Sequence, residues 1–178
     1  RKNGIDLSVV NQQAAVDIRP LWPDYLTESD FEHDFPYNLK LKAHQGPKAK
    51  KTDEMETYYS VTYPIKAQSV KFITAIILKD SPASKNIPQV TRLKGDDLQG
   101  VRIAKGDKIT DVYLNTRADG HIMHRNSCTN VNGWDTDAYL LAFSYKKGTD
   151  PAVSKNILEW FIGYGSYVRN AHESIFDS

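Results

Sequence analysis

Residues 100–116, GVRIAKGDKITDVYLNT, contain two runs of alternating apolar and polar residues around the short turn AKGDK. A break with Gly and Asp between two such runs is typical of a β-hairpin. Alternate residues of the second run fall on two strand faces, with Ile109, Asp111 and Tyr113 on one and Thr110, Val112 and Leu114 on the other. This stretch therefore predicts a pair of antiparallel strands.

The same alternation recurs along the chain. AVDIRPLW (15–22) predicts a strand with Val16 and Ile18 inward and Asp17 and Arg19 outward, which Pro20 and Pro23 end. Residues 156–176 predict two or three short strands, and no amphipathic helix of ten residues or more is evident. Turn signals recur about every ten residues, which favours an all-β fold built as an antiparallel β-sandwich.

Residues 69–78, SVKFITAIIL, differ because they are apolar on nearly both faces. Such a run predicts a central strand that is covered on two sides. The next ten residues, KDSPASKNIP (79–88), contain two prolines, two serines and three charges. They predict a linker or a long crossing between sheets.

Composition excludes several classes of protein. The 178 residues suit one domain or two small ones, and 23 basic against 22 acidic residues leave a net charge of +1. This balance provides no general attraction to nucleic acid or to a membrane surface, and no apolar run reaches the length of a membrane-spanning helix. The one cysteine cannot form an internal disulfide.

Residues 119–137, DGHIMHRNSCTNVNGWDTD, pose the question of a metal site, because His121, His124 and Cys128 lie close together in sequence. Two histidines three residues apart share a face of a helix but lie on opposite faces of a strand. The many Asn and Gly residues here disfavour a helix. We therefore expect a hairpin edge rather than a zinc site, with NVNG as a turn, and we expect no nucleophilic role for Cys128.

Asp135 and Asp137 flank Thr136 and would share a strand face, as the paired carboxylates of a glycosidase do. The alternative is two acidic residues that close a turn before a buried strand. We favour this alternative and expect Trp134 to be a loop aromatic that covers the end of the next strand.

Six segments together resemble the C-terminal all-β region of heparinase II/III-like polysaccharide lyases. They are AVDIRPLWPDYLTESDFEHDFPYNLKL (15–41), YYSVTYP (58–64), VKFITAIIL (70–78), DVYLNTRADG (111–120), GWDTDAYLLAF (133–143) and YGSYVRNAHESIFDS (164–178). The resemblance covers the chain from about Gly4 onward and rests on the order of these blocks rather than on one short motif.

This resemblance implies that residues 1–80 are the end of a large β-sandwich and that residues 86–178 form a small C-terminal sandwich, with Ser81–Pro88 between them. It also implies a protein that cleaves uronic-acid-containing glycans by β-elimination, a periplasmic or secreted location, and an N-terminal helical toroid as the partner of these sandwiches. No family catalytic or metal-binding residue can be matched to a position here, so we expect none, and no cofactor. The expected ligand is an acidic polysaccharide rather than nucleic acid or a membrane.

Four residues in and after 15–22 are candidates for glycan contact, because they offer rings for sugar faces and donors for carboxylates: Arg19, Trp22, Tyr25 and His33. The alternative is that Trp22 closes the end of the sandwich and that the others are solvated. A lysine-rich run, 40–51, could attract a polyanion or could serve as a soluble strand edge.

Two other functions remain open at this stage. The chain could be a stand-alone, non-catalytic carbohydrate-binding or interaction module, or a hydrolase that uses Asp135 and Asp137. A lyase portion should show an uncovered apolar sheet face with open edges, whereas a binding module should show a closed sandwich with exposed aromatic rings.

Overall fold

The computed structural model describes residues 7–22, 40–48, 55–62, 71–118 and 128–177, of which 40–48 and 55–62 are described as backbone only. These ranges contain no α-helix, one turn of 3-10 helix at Ser154–Asn156, and strands arranged in four antiparallel sheets. The predicted all-β class is confirmed. The strands are β1 Leu7–Val10, β2 Ala15–Trp22, β3 Lys40–Lys48, β4 Met55–Thr62, β5 Ile73–Lys79, β6 Gln89–Lys94, β7 Leu98–Lys105, β8 Lys108–Asn115, β9 Thr129–Val131, β10 Trp134–Thr136, β11 Leu140–Lys146, β12 Ile157–Gly163, β13 Tyr167–Arg169 and β14 Ser174–Asp177.

The second half of the chain forms a sandwich of two sheets, ordered β12-β11-β8-β7-β6 and β14-β13-β10-β9. Its core contains Trp134, Phe143 and Val168, each 0% exposed, together with Leu141 and Val131. Each large apolar side chain buried in this way contributes about 1.5–3 kcal/mol. Trp134 belongs to β10 and to this core, so the prediction of a loop aromatic was wrong.

Two short turns set the register of this sandwich. The predicted AKGDK turn joins β7 to β8, with Gly106 at φ +63°, and the predicted NVNG turn joins β9 to β10. Asn132 and Gly133 both have positive φ, +50° and +86°. Two consecutive positive φ angles match the right-handed twist of the flanking strands, and Asn-Gly is the pair that adopts them most readily.

We use the term outer face for the side of the five-stranded sheet that points away from this core. It carries Val101, Ile103 and Lys105 of β7, Lys108, Thr110, Val112 and Leu114 of β8, Leu140, Ala142, Ser144 and Lys146 of β11, and Glu159 and Phe161 of β12. The predicted division of β8 is confirmed, because Asp111 and Tyr113 lie on the buried inner side.

Strands β1, β2 and β5 form a separate three-stranded sheet in which the predicted orientation of β2 is reversed. Asp17 is 1% exposed, whereas Val16 and Ile18 on the other face are half-buried. Asp17 accepts a hydrogen bond from Ser8 at 2.6 Å and pairs with Lys79 at 2.5 Å. These partners make burial of the carboxylate possible, since a buried charge is tolerated when it is paired and hydrogen-bonded.

The prediction that residues 69–78 form a central strand covered on both sides was also wrong. Among the described strands β5 pairs with β2 alone and is therefore an edge. Ile77 is 4% exposed, but its neighbours Ile76 and Leu78 are 65% and 74% exposed. With Val9, which is 59% exposed, they form an uncovered apolar face of the three-stranded sheet.

Strand β5 adjoins the outer face of the five-stranded sheet. A cleft of about 410 Å³ is lined by Leu21 and 73–78 together with Pro88, Val90, Val101, Ile103 and Lys105.

Lys71, just before β5, contacts the end of β8. Its ammonium group donates to the carbonyl oxygens of Asn115, Thr116 and Ala118 at 3.5, 3.3 and 2.6 Å. The division into domains 1–80 and 86–178 stays a prediction.

The remaining described strands, β3 and β4, pair antiparallel as a two-stranded sheet. Within the described ranges, no helix has the length and apolar character needed to cross a membrane.

Candidate functional site

Arg19 and Trp22, two of the four predicted glycan-contacting residues, lie on β2 and are half-buried. Tyr25 and His33 lie outside the described residues. Strand β2 does not end at Pro20 as predicted but continues to Trp22 with a register shift after Pro20. Because of this shift, Arg19 lies opposite Ala75 and Trp22 lies opposite Ile73, which are on the same face of β5. The irregularity thus places Arg19 and Trp22 on one face, which their spacing in a regular strand would not do.

The segment that raised the question of a metal site is described from Cys128 onward, so His121 and His124 lie outside the described residues. Cys128 is exposed and lies beside the Tyr167 hydroxyl. Burial, together with the hydrogen bond to Cys128, raises the pKa of Tyr167 to about 12. Within the described part of the chain, no three His, Cys, Asp or Glu side chains are grouped as metal ligands.

Asp135 and Asp137 have separate structural partners. Asp135 is exposed and accepts a hydrogen bond from the Asn130 side chain at 2.8 Å. Asp137 is buried and accepts from the backbone N–H and the hydroxyl of Ser166 at 2.7 and 2.5 Å. Asp137 therefore holds the turn between β12 and β13, and this arrangement favours the structural interpretation over paired glycosidase carboxylates.

Asp111, which is 0% exposed inside the sandwich, is the centre of a cluster of hydrogen bonds. Arg102 donates to both of its carboxylate oxygens at 2.8 Å, and Tyr145 donates from its hydroxyl at 2.8 Å. Tyr113 and the Asn132 side chain complete the shell at 3.2 and 3.3 Å. The inner face of the five-stranded sheet supplies four of these groups, and the β9–β10 turn supplies Asn132.

The electrostatics of this cluster follow from its geometry. Burial by itself raises the pKa of Asp111, but the hydrogen bonds from Arg102 and Tyr145 outweigh burial and hold the pKa below its usual value. Burial and the nearby carboxylate raise the pKa of Tyr145 to about 12 and also raise that of Tyr113. Asp111 is thus ionised with both oxygens occupied, and the two phenols remain protonated at neutral pH.

Such a cluster can stabilise the sandwich, but it cannot easily move a proton of a substrate. A general base needs a free lone pair within reach of the substrate proton, and the oxygens of Asp111 are buried and already accept several bonds. The alternation of β8 predicts that Asp111 and Tyr113 share a face, but it does not indicate that Arg102, Asn132 and Tyr145 are their partners. The sequence feature that points to this cluster is the charged Asp111, which lies between Ile109 and Tyr113 on the same face of β8.

Exposed aromatic rings occur on β12, an edge of the five-stranded sheet, and directly after it. Trp160, Phe161 and Tyr164 are 43%, 55% and 60% exposed. Trp160 packs against Phe176 with ring centroids 5.8 Å apart, and Phe161 borders a shallow groove of about 290 Å³. Thr110 and Ser144, whose hydroxyl oxygens are 2.8 Å apart, line the same groove. An exposed ring beside hydroxyl groups can contact both the apolar face and the hydroxyls of a sugar.

A scan of the sequence against models of protein families finds no match, and a search of curated proteins finds no significant relative.

Proposed function

We propose that this chain is the β-sandwich portion of a polysaccharide lyase that cleaves uronic-acid-containing glycans, of the heparin or heparan sulfate type, by β-elimination. Its role is scaffold and one wall of the glycan cleft, while the eliminating residues lie in another part of the protein. The partner is an N-terminal helical toroid of the same protein, and the location is periplasmic or secreted.

The observation that carries this proposal is the uncovered apolar face of the sheet β1-β2-β5. In a complete sandwich the apolar positions of each sheet are buried against a second sheet. Here Ile76 and Leu78 are more than half exposed, and among the described strands β1 and β5 each have one neighbour. A face and edges of this kind are expected where a further sheet of the same large sandwich completes the layer.

The chemistry of β-elimination supports a scaffold role for this chain, with the eliminating groups elsewhere in the protein. β-Elimination needs a base that removes the proton at C5, positive or hydrogen-bonding groups that stabilise the enolate-like intermediate, and an acid for the leaving oxygen. In the described ranges Asp111, whose pKa is lowered, is inaccessible, and Tyr145 keeps its proton in the same buried cluster. This burial supports the proposal that the eliminating groups lie in another part of the protein.

The proposal is tested by incubating the purified chain, and separately the longest gene product that contains it, with heparin, heparan sulfate, chondroitin and alginate. The absorbance of the unsaturated uronate measures elimination, and affinity electrophoresis measures binding. We expect the chain to bind an acidic polymer without forming product, and the longer protein to form product. Product from the chain itself would contradict the scaffold role, and no binding to any of the four polymers would contradict the substrate class.

The second candidate is a stand-alone, non-catalytic carbohydrate-binding module. The exposed rings of Trp160 and Phe161 on β12 and of Tyr164 directly after it favour this alternative, because binding modules use surface aromatics as platforms for sugars. Binding of neutral glycans such as dextran or xylan in the same electrophoresis, without product from any longer form of the protein, would select this alternative.

A further inference from the structure

Three lysines lie side by side at one end of the outer face. Lys105 of β7 is directly opposite Lys108 of β8, and Lys108 is directly opposite Lys146 of β11. All three are exposed, and their alternation places them on the same side of the sheet. Since neighbouring strands are about 4.8 Å apart, this lysine row spans about 10 Å.

The row is not explained by the usual uses of lysine. Lysines on edge strands prevent aggregation, but β7, β8 and β11 are the three inner strands of the sheet. Like charges directly opposite each other destabilise a sheet. Glu159 pairs with Lys108 at 2.5 Å, and this contact lowers the pKa of Glu159. No carboxylate in the described part of the chain lies within salt-bridge distance of Lys105 or Lys146.

The surface next to the lysine row has a different but complementary chemistry. Two residues further along β8 and β11 are Thr110, which is half-buried, and Ser144, which is 4% exposed and bonded to Thr110. Both line the groove described above, together with Glu159, the partner of Lys108. Beyond them, on the same face, lies Phe161, whose ring is 55% exposed. Successive residues on one face of a strand are about 7 Å apart, so cations, hydroxyls and a ring follow one another within the length of a short oligosaccharide.

We propose that this part of the outer face is a binding site for an acidic polysaccharide, in which Lys105, Lys108 and Lys146 bind successive carboxylate or sulfate groups. The half-buried Thr110 hydrogen-bonds a sugar hydroxyl, and Phe161 packs against the apolar face of one sugar ring. The site rests on the proposed function, because it takes the same class of glycan, and it adds a place where the chain holds the polymer. Inorganic polyphosphate would use the lysines but has no apolar face to pack against the ring of Phe161.

The test measures binding of alginate and heparin oligosaccharides by calorimetry to the whole chain and to three variants. The row variant, Lys105→Gln with Lys146→Gln, removes two charges and leaves the pair of Lys108 and Glu159 intact. The control variant, Lys94→Gln with Arg169→Gln, removes the same charge from the far end of β6 and from the other sheet. The ring variant is Phe161→Ala, and inorganic polyphosphate is the competing polyanion.

We expect the row variant to raise the Kd for the preferred oligosaccharide roughly tenfold or more, and the control variant to raise it less than about threefold. The melting temperature of the row variant should stay the same or rise, because two unfavourable cross-strand contacts are relieved. The ring variant should weaken binding of the oligosaccharide and leave binding of polyphosphate unchanged.

Three outcomes would overturn the site, and they are distinguishable. Equal Kd values for the whole chain and the row variant would place the glycan elsewhere and leave the proposed function standing. If polyphosphate bound with the same Kd as the oligosaccharide and Phe161→Ala changed neither value, the surface would bind anions without specificity for a glycan. Failure of the unaltered chain to bind any acidic oligosaccharide would remove the proposed function and the site together.

Discussion

The C-terminal sandwich and the three-stranded sheet β1-β2-β5 have similar alternating sequences but different states of burial. In the sandwich, Trp134 and Phe143 are 0% exposed, whereas Ile76 and Leu78 of the three-stranded sheet are 65% and 74% exposed. Each region also buries one aspartate with a basic partner, Asp111 with Arg102 and Asp17 with Lys79. Alternation thus defines two faces of a strand, but packing decides which face is covered.

The largest expected effect tests whether the sandwich depends on its internal charge cluster. Asp111→Ala should lower the free energy of unfolding by about 3–5 kcal/mol, because Arg102 and two phenols lose their common acceptor inside the core. Urea titration followed by tryptophan fluorescence, to which the buried Trp134 contributes together with Trp22 and Trp160, measures this loss. The exposed Asp135→Ala is the matched control and should stay within about 0.5 kcal/mol. Equal effects of the two changes would show that the cluster is not important for stability.

The next effect tests the contrast within β5. Ile77→Ala should cost about 2–5 kcal/mol, whereas Leu78→Ala should cost less than about 1 kcal/mol, since Ile77 is buried and Leu78 is exposed. Leu78→Ser should also reduce binding of a hydrophobic dye without unfolding the chain. Similar costs for Ile77→Ala and Leu78→Ala in the urea titration would mean that the second face is covered in solution.

A smaller effect is expected at the junction of the two regions. Lys71 donates to three carbonyl oxygens at the end of β8 and lies over the Tyr139 ring, 5.0 Å from its centroid. Lys71→Met should cost about 1–3 kcal/mol, because it leaves these carbonyls without a charged donor. Hydrogen exchange should then show faster opening of β5 while the protection of β11 is retained. Equal loss of protection in both strands would indicate that the regions unfold as one unit.

The smallest effect is a pH dependence. The pKa of Asp111 is lowered in the folded state, so its stabilising contribution is present above its unfolded pKa of about 3.9 and is lost as the pH falls through the folded value. The stability difference between the unaltered chain and Asp111→Asn should therefore be constant near neutral pH and shrink below about pH 4. Urea titrations of both proteins from pH 7 to pH 2.5 measure it. A difference independent of pH would mean that the pKa of Asp111 is the same in the folded and unfolded states, and a pH dependence of the opposite sign would mean that Asp111 is protonated in the fold.

Much of the strand framework was predictable from local sequence. The hairpin around 106–107, the Asn132–Gly133 turn and the opposite faces of Asp111 and Val112 follow from turn chemistry and from the two-residue period of a strand. The candidate glycan contacts were predictable only in part. The sequence indicated Arg19 and Trp22 as candidates, but it did not indicate the register shift that places them on one face. A bulge depends on the partner strand and leaves little trace in the strand that contains it.

The lysine row also depends on strand pairing that the local sequence does not show. Lys105, Lys108 and Lys146 are unremarkable residues at strand ends in the sequence, and they become a row because β11 pairs with β8 and β8 pairs with β7. Pairing between residues that are distant in the chain cannot be read from either strand separately, since register is decided by the faces that become buried.

By itself, the sequence determined the all-β class, the turns and the division of each strand into two faces, because these depend on backbone sterics and on a period of two residues. The tertiary structure decided which face is buried, which strands are edges and which distant side chains meet. It placed Asp17 inside and Ile76 outside, contrary to their polarity, because Asp17 finds Ser8 and Lys79 as partners whereas the described strands leave the face of Ile76 uncovered.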